Sequence, residues 1–252
     1  AVPLPLRGRI EAAMALAILQ ARMSSTRLPG KVLLPILGEP MLGRQIERLQ
    51  RARQLTRLVV ATSTRADDDA IEIYCRTLGV DCFRGDLDDV LGRFLGVVKA
   101  FAPAPTFVRL TGDCPLADPG LIDRVIISHR ETGADNTNVH QRWTFPKGLD
   151  VEVCETAVLK AIDADATGAD REHVTSFIYA HPERFRINAI HHSPPLRYRW
   201  TVDTPEDFAF VTSVYEDLYP ANPAFTTEDI LAWQDRHPDR VLVNDVVVEP
   251  EA

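Results

Sequence analysis

Between residues 16 and 132 the chain alternates short apolar runs with longer segments of helical periodicity, and each apolar run ends in a polar loop. The apolar runs 16–19, 58–61, 80–83 and 106–110 are strand candidates. Helices are expected from Pro40 to about residue 53, over 67–78, from Asp86 to about residue 100, and from Pro119 to about residue 132. In the first of these, Met41, Leu42, Ile46 and Leu49 recur at helical spacing behind Pro40. The second and third begin on acidic residues, where the helix dipole favours them, and Asp118-Pro119 supplies a cap and a first-turn proline. This alternation predicts an α/β fold, a three-layer arrangement with helices on both faces of a mostly parallel sheet. In such sheets ligands bind beyond the carboxyl ends of the strands.

After about residue 134 the pattern changes. Segments 136–138, 143–147 and 149–153 read as extended, 155–164 and 170–180 as helices, and 186–191 and 199–202 as strands. Thr204-Pro205-Glu206-Asp207 opens a further helix with capping chemistry, and 226–237 is a last short one. With 252 residues, 45% of them apolar, the chain can build one large core. Its apolar runs are far shorter than the roughly 18 residues of a membrane span, so no membrane partner is expected. A net charge of −8 argues against a nucleic-acid partner, though not against a local basic pocket. The four cysteines are scattered without a Cys-x-x-Cys pair, which points to a reducing, cytoplasmic setting. Residues 1–13 lack a signal peptide's apolar region and read as an added or upstream extension, with Met14 just before the first strand. Residues 14–252 are expected to form a single domain.

The first strand leads into Gln20-Ala21-Arg22-Met23-Ser24-Ser25-Thr26-Arg27-Leu28-Pro29-Gly30-Lys31. Small residues let backbone N–H groups approach an anion, and Arg22, Arg27 and Lys31 add charge where phosphates would sit. The spacing is neither a Walker A nor a dinucleotide fingerprint. A basic surface loop would look the same in isolation. Thr62-Ser63 and Thr111-Gly112-Asp113 fall at other expected strand ends, however, and converge on the same edge of the sheet. Asp113 and Asp203 each follow a strand candidate, and either can be a turn or helix-capping residue. Together, opposite a basic loop, they suit a hard divalent cation shared with phosphate oxygens.

The segment from Ala21 to Lys31, with Gly38-x-Pro40-Met41 behind it, resembles the CTP-binding segment of CMP-Kdo and CMP-acylneuraminate synthetases. Val60-Ala61-Thr62-Ser63, Thr111-Gly112-Asp113-x-Pro115-Leu116 and Val202-Asp203-Thr204-Pro205-Glu206-Asp207 match that pattern in order. The likeness is stronger to the spore coat polysaccharide biosynthesis protein F branch. Its elements are matched by residues 85–93, by Phe145-Pro146-x-Gly148-Leu149-Asp150-Val151-Glu152-Val153, and by Arg171-Glu172-His173-Val174-Thr175. The resemblance implies a nucleotide-diphospho-sugar transferase fold (GT-A-like, Rossmann-like) and a Mg²⁺-dependent cytidylyl transfer from CTP to a hydroxyl of an acidic sugar. Pyrophosphate would leave, and the product would serve surface polysaccharide or glycan synthesis.

By the same resemblance Arg27 and Lys31 are the catalytic cations and Asp113 and Asp203 the metal ligands. Ala21, Arg22, Ser24, Thr62, Ser63, Thr111 and Gly112 would line the nucleotide pocket, with Asp89 and Arg93 flanking the base. Lys147, Asp150, Arg171, Glu172 and His173 would serve the sugar side, in a part around 134–200 that also forms a homodimer. Cys114 stands where CMP-Kdo enzymes carry an acid, and is expected to pack rather than react. His191-His192 is expected to be structural, since adjacent strand residues face opposite ways; His129 and His140 receive no role. Two other readings remain at this stage. A nucleotide-sugar-dependent glycosyltransferase would usually carry Asp-x-Asp where Thr111-Gly112-Asp113 stands, and a catalytically silent nucleotide-binding module would not need both aspartates.

Overall fold

Side-chain alternation along β1 (Ala15–Gln20) divides the molecule into its layers: Leu16 and Ile18 enter one core, Ala15, Ala17 and Leu19 the other. The neighbours repeat the division. In β4 (Leu55–Ser63) Val60 faces one core, Val59 and Ala61 the other; in β6 (Thr106–Thr111) Val108 and Leu110 oppose Phe107. Strands buried on both faces are what a parallel sheet between helices requires. The computed structural model describes residues 15–141 and 143–240. The expected extension over residues 1–13, and Met14, lie outside them.

β1 pairs in parallel with β4 and β6, and β4 with β5 (Asp81–Gly85). β8 (Glu152–Glu155) runs antiparallel to both β6 and β7 (Asn136–Asn138), and β7 is parallel to β9 (Ile187–Ala189). The sheet order is β5-β4-β1-β6-β8-β7-β9. From β1 the chain winds outward through β4 and β5, then crosses back to β6 on the opposite side. The carboxyl ends of β1 and β6 therefore flank the topological switch point, where doubly wound sheets open a crevice. A two-stranded ribbon, β2 (Pro35–Ile36) with β3 (Glu39–Pro40), precedes the first helix.

One face is covered by α1 (Met41–Leu49), α2 (Asp69–Leu78), α4 (Pro119–Thr132), α8 (Pro205–Leu218) and α9 (Thr227–Arg236), through residues such as Ile46, Ile71, Ile122, Val211 and Trp233. The other is covered by α3 (Val90–Ala100), α5 (Thr156–Asp163) and α7 (Ser176–Ala180), with α6 (Ala169–His173) just before α7. The three-layer expectation holds. Among the described residues no helix is long and apolar enough to cross a membrane.

Several boundaries differ from expectation, each for a local reason. The first helix ends at Leu49, and Pro40 belongs to β3. The helix expected from Asp86 starts at Val90, because the Asp86 carboxylate accepts from the N–H groups of Asp88 and Asp89 in a turn and Asp89 is the cap. The helix expected over 170–180 is two short ones, broken at Val174, whose φ of 51° is left-handed. The break brings Thr175 inside, where its hydroxyl donates to buried Glu152. Segments 143–147 and 199–202 are not sheet strands. They meet in a single parallel bridge, Lys147 to Arg199.

Candidate active site

Gly112 N donates to Gln20 O at 2.7 Å, which joins the ends of β6 and β1, and Gln45 of α1 donates to Thr111 O at 2.8 Å. A Cβ on Gly112 would lie 3.0 Å from Gln20 O and 3.1 Å from Ala21 Cβ, so this approach favours glycine. The basic loop folds over the junction. Met23 O accepts from Ser25 N and Gly30 N, both at 2.9 Å, and Gly30 turns with φ of 70°. Lys31 then opens a single 3₁₀ turn, Lys31–Leu33. Asp68, at the end of a 3₁₀ turn before α2, anchors this loop to β4. One carboxylate oxygen accepts from Met23 N at 2.7 Å and the other from Ser63 N and Oγ.

The result is a cavity of about 240 Å³ at the switch point. Arg22, Arg27, Lys31, Thr111, Gly112, Asp113 and Asp203 line it, with Gln20, Ala21, Ser25, Thr26 and Val32. Residues some 180 positions apart thus share one wall space. The chain reaches Asp203 along a fixed route. Lys147 N donates to Tyr198 O at 2.9 Å, Trp200 N to Lys147 O at 2.7 Å, and Val202 N to Asp113 O at 2.8 Å. That last bond sets the two aspartates side by side in the fold without a sheet strand beneath Asp203.

Asp203 does not cap the helix that follows it. Thr204 does, in a reciprocal capping box with Asp207, whose carboxylate also accepts from Asp203 N at 2.8 Å. The Asp203 carboxylate is thereby free to face the cavity. It meets Lys31 Nζ at 3.1 Å, Arg27 at 3.0 Å and Arg199 at 3.1 Å. Burial alone would raise its pKa, but the hydrogen bond and charge of Lys31, then Arg27 and Arg199, hold it below the ordinary aspartate value. Lys31 also donates to Val202 O at 2.6 Å. Arg199 spans Asp203 and Asp207, so its charge steadies the whole turn.

Other expected residues fall elsewhere. Ser24 is exposed and lies outside the lining, while its neighbours Ser25 and Thr26 are part of it. Thr62 and Ser63 are fully buried at the end of β4, where Ser63 serves the Asp68 anchor. Asp89 caps α3 through Gly92 N and is gripped by Arg171 with bonds of 2.9 and 3.1 Å. Arg171, expected to meet a sugar carboxylate, divides its guanidinium between Asp89 and Asp163. Glu172 and His173 are exposed on α6. Arg93 is buried and donates to Asp86 O and Leu87 O, with Arg22 as its cationic neighbour. Lys147 and Asp150 are not among the residues that line the cavity, and Asp150 accepts from Gly148 N at 3.0 Å. Burial raises the Asp150 carboxyl pKa against the opposing influence of His140, and Asp113 adds to the rise.

Sequence reasoning missed four residues that hold this geometry: Gln45, Asp68, Arg199 and Asp207. Asp68 and Asp207 read as helix-start acids, and Gln45 and Arg199 lie outside any motif. It also missed a buried cluster around Glu152. Glu152 accepts from Arg109 at 2.7 Å, from Thr175 at 2.8 Å and from Tyr179, with His140 Nε2 at 3.4 Å. Burial opposes ionisation there, yet Arg109 and His140 with the Tyr179 hydroxyl bring the pKa down to about 2. Cys114 packs as expected, its thiol pushed up by burial. His192 bonds to Thr144 and Pro194 in a structural turn.

Asp113 and Asp203 fit a divalent cation of the magnesium type. Such an ion uses one or two protein carboxylates and takes its remaining ligands from water and phosphate. Among the described residues no cluster of three or more acidic, histidine or cysteine ligands forms an all-protein cage. Two carboxylates lining a cavity rimmed by Arg22, Arg27 and Lys31 suit an ion that arrives with a phosphate chain.

Comparisons with known proteins bear on the family and the fold. The profile of the family described as Cytidylyltransferase matches residues 16–220. The spore coat polysaccharide biosynthesis protein SpsF of Bacillus subtilis is 35% identical over 233 residues, which cover 89% of this chain and 95% of that protein. A solved cytidylyltransferase from Leptospira borgpetersenii superimposes with a TM-score of 0.84 at 28% identity, covering 94% of this chain and 99% of the other. A CMP:2-keto-3-deoxy-manno-octonic acid synthetase solved with CTP shares the fold, with a TM-score of 0.61 at 18% identity over 81% of this chain and 98% of that one.

Proposed function

The chain belongs to the cytidylyltransferase family, and from that premise we propose that it transfers the cytidylyl group of CTP to a hydroxyl of an acidic sugar, for a surface polysaccharide or glycan. The observation that carries this reading is one cavity lined by Arg27, Lys31, Asp113 and Asp203 together. The sugar hydroxyl oxygen attacks the α-phosphorus, the bond to the β-phosphate bridging oxygen breaks, and pyrophosphate leaves with that electron pair. The hydroxyl proton passes to solvent.

Phosphoryl-type transfer needs positioning and charge neutralisation more than a covalent nucleophile. Lys31 and Arg27 exchange Asp203 for phosphate oxygens as the triphosphate enters. Backbone N–H groups of the 21–31 loop and the close approach at Gly112 receive the nucleotide. Asp113 and Asp203 would hold Mg²⁺, which would neutralise phosphate charge and lower the pKa of the attacking hydroxyl. Lys147, whose backbone is bonded to Tyr198 and Trp200 on the segment leading to Asp203, and Asp150, which accepts from Gly148 N, face the acceptor side. The 134–200 part carries the sugar site and a homodimer contact, and the enzyme works in the cytoplasm.

The test is pyrophosphate release from CTP and Mg²⁺ with a panel of ulosonic and nonulosonic acids. Release that depends on one of these acceptors, with a CMP-sugar recovered in equal amount, is the expected result. CTP binding without release for any acceptor makes the protein a silent nucleotide-binding module. Sugar transfer from a preformed nucleotide sugar makes it a glycosyltransferase.

A further inference from the structure

A second cavity, of about 560 Å³, opens where the first turns of α4 and α9 meet the end of α1, and it shares no lining residue with the cavity at the switch point. Its volume lies in the range of small-molecule sites. Phe145, Leu149 and Phe225 give it apolar walls, and three arginines, Arg48, Arg51 and Arg124, line it. Arg48 is the unusual one. It is only 2% exposed, its Nε donates to Ala117 O at 2.7 Å, and its guanidinium lies 4.3 Å over the Phe225 ring. Both terminal nitrogens lack a hydrogen-bond partner among the described residues. A buried donor left without a partner is destabilising, and more so when it carries charge.

The neighbouring charges do not supply the missing acceptor. Asp118 spends one carboxylate oxygen on Leu121 N and the other on the Thr227 hydroxyl, which ties the two helix starts together. Arg51 is held by Glu47 and by Pro223 O, and Arg124 lies 5.3 Å from the Phe145 ring centroid. Glu228 is the other acid in the lining. Gly120 in α4, with Thr227 and Glu228 in α9, belongs to a first turn whose N–H groups have no intrahelical acceptor. Two helix N-termini and three guanidinium groups thus surround an apolar space.

We propose that this cavity binds a small organic anion, a single phosphate or carboxylate carried on an apolar body. The anionic group would neutralise Arg48 and Arg124 near the helix starts, and the body would pack on Phe145, Leu149 and Phe225. The site is separate from the nucleotide cavity and does not depend on the reaction assigned there.

Phenyl phosphate is the probe, titrated by calorimetry into the full chain. The expected result is saturable binding with a Kd below about 1 mM, and inorganic phosphate at least about fivefold weaker. Arg27→Ala, which weakens the basic loop at the switch point, leaves this binding unchanged. Arg124→Glu and Ala224→Trp, both surface changes at the rim, each weaken it at least about tenfold. Arg48→Met abolishes it; if that variant fails to fold, the two rim variants decide. The proposal is overturned by the absence of saturable binding up to about 10 mM, by equal affinity for inorganic phosphate, or by loss in Arg27→Ala with retention in Arg124→Glu.

Discussion

Replacing Asp203 by Asn separates two roles that the same carboxylate plays. It is the carboxylate partner of Lys31 and Arg27 among the described residues, at 3.1 and 3.0 Å, and it shares Arg199 with Asp207. Its side chain is 13% exposed and that of Lys31 11%, while Arg27 is 61% exposed. Breaking a buried pair costs about 3–5 kcal/mol. With Arg27 in solvent and Arg199 still paired, about 1–3 kcal/mol is expected here. The freed cations then face the cavity. One negative charge removed about 7 Å from a phosphate is worth roughly 2 kcal/mol at an effective dielectric near 20, and about half that after salt screening. Metal-free CTP should therefore bind about 5- to 30-fold tighter to Asp203→Asn. Turnover with Mg²⁺ should fall by about 10²-fold or more, because one of two metal carboxylates is gone. Calorimetry with CTP in EDTA reads the first effect and pyrophosphate release the second. Weaker metal-free binding in the variant, or turnover within about threefold of the parent, would refute the assignment of Asp203 to both roles.

Glu152 should govern part of the acid sensitivity. Its pKa falls from 4.5 to about 2 on folding, so its contribution is fully present above about 4.5 and is lost as pH falls toward 2. That contribution is about 3 kcal/mol, and Glu152→Gln should flatten the denaturation midpoint against pH in that window; an unchanged curve counts against the buried network. Gly148→Ala should lower the melting temperature sharply, since φ is 112° and a Cβ would sit 2.6 Å from the Trp200 carbonyl carbon. Turnover should fall with it, because the displaced segment leads to Asp203, and scanning calorimetry beside an activity assay checks both. Arg171→Ala should cost less than about 1 kcal/mol, as expected for partly exposed ion pairs, and leave the acceptor KM unchanged. A tenfold rise in that KM without loss of stability would restore Arg171 to the sugar site.

What was legible in the sequence follows from how local its physical causes are. Strand and helix alternation up to Thr132 depends on periodicity and caps, and Asp118-Pro119 began α4 where expected. The basic loop and Asp113 were legible because each sits one turn beyond a strand, and backbone topology alone carries them to the switch point. Asp203 was found as a strand-end residue, yet no sheet strand precedes it. Its position depends on Val202 N reaching Asp113 O across 89 residues of chain, a bond no local pattern encodes. The same distinction explains the acceptor half. Val174 takes a left-handed φ inside what reads as one amphipathic helix, because doing so seats Thr175 on Glu152. Arg171 reads as a free cation because Asp89 is 82 residues away. Local patterns therefore identify the basic loop and Asp113 that line the switch-point cavity, while the buried network of Arg109, His140, Glu152, Thr175 and Tyr179 is arranged by tertiary hydrogen bonds that no local pattern encodes.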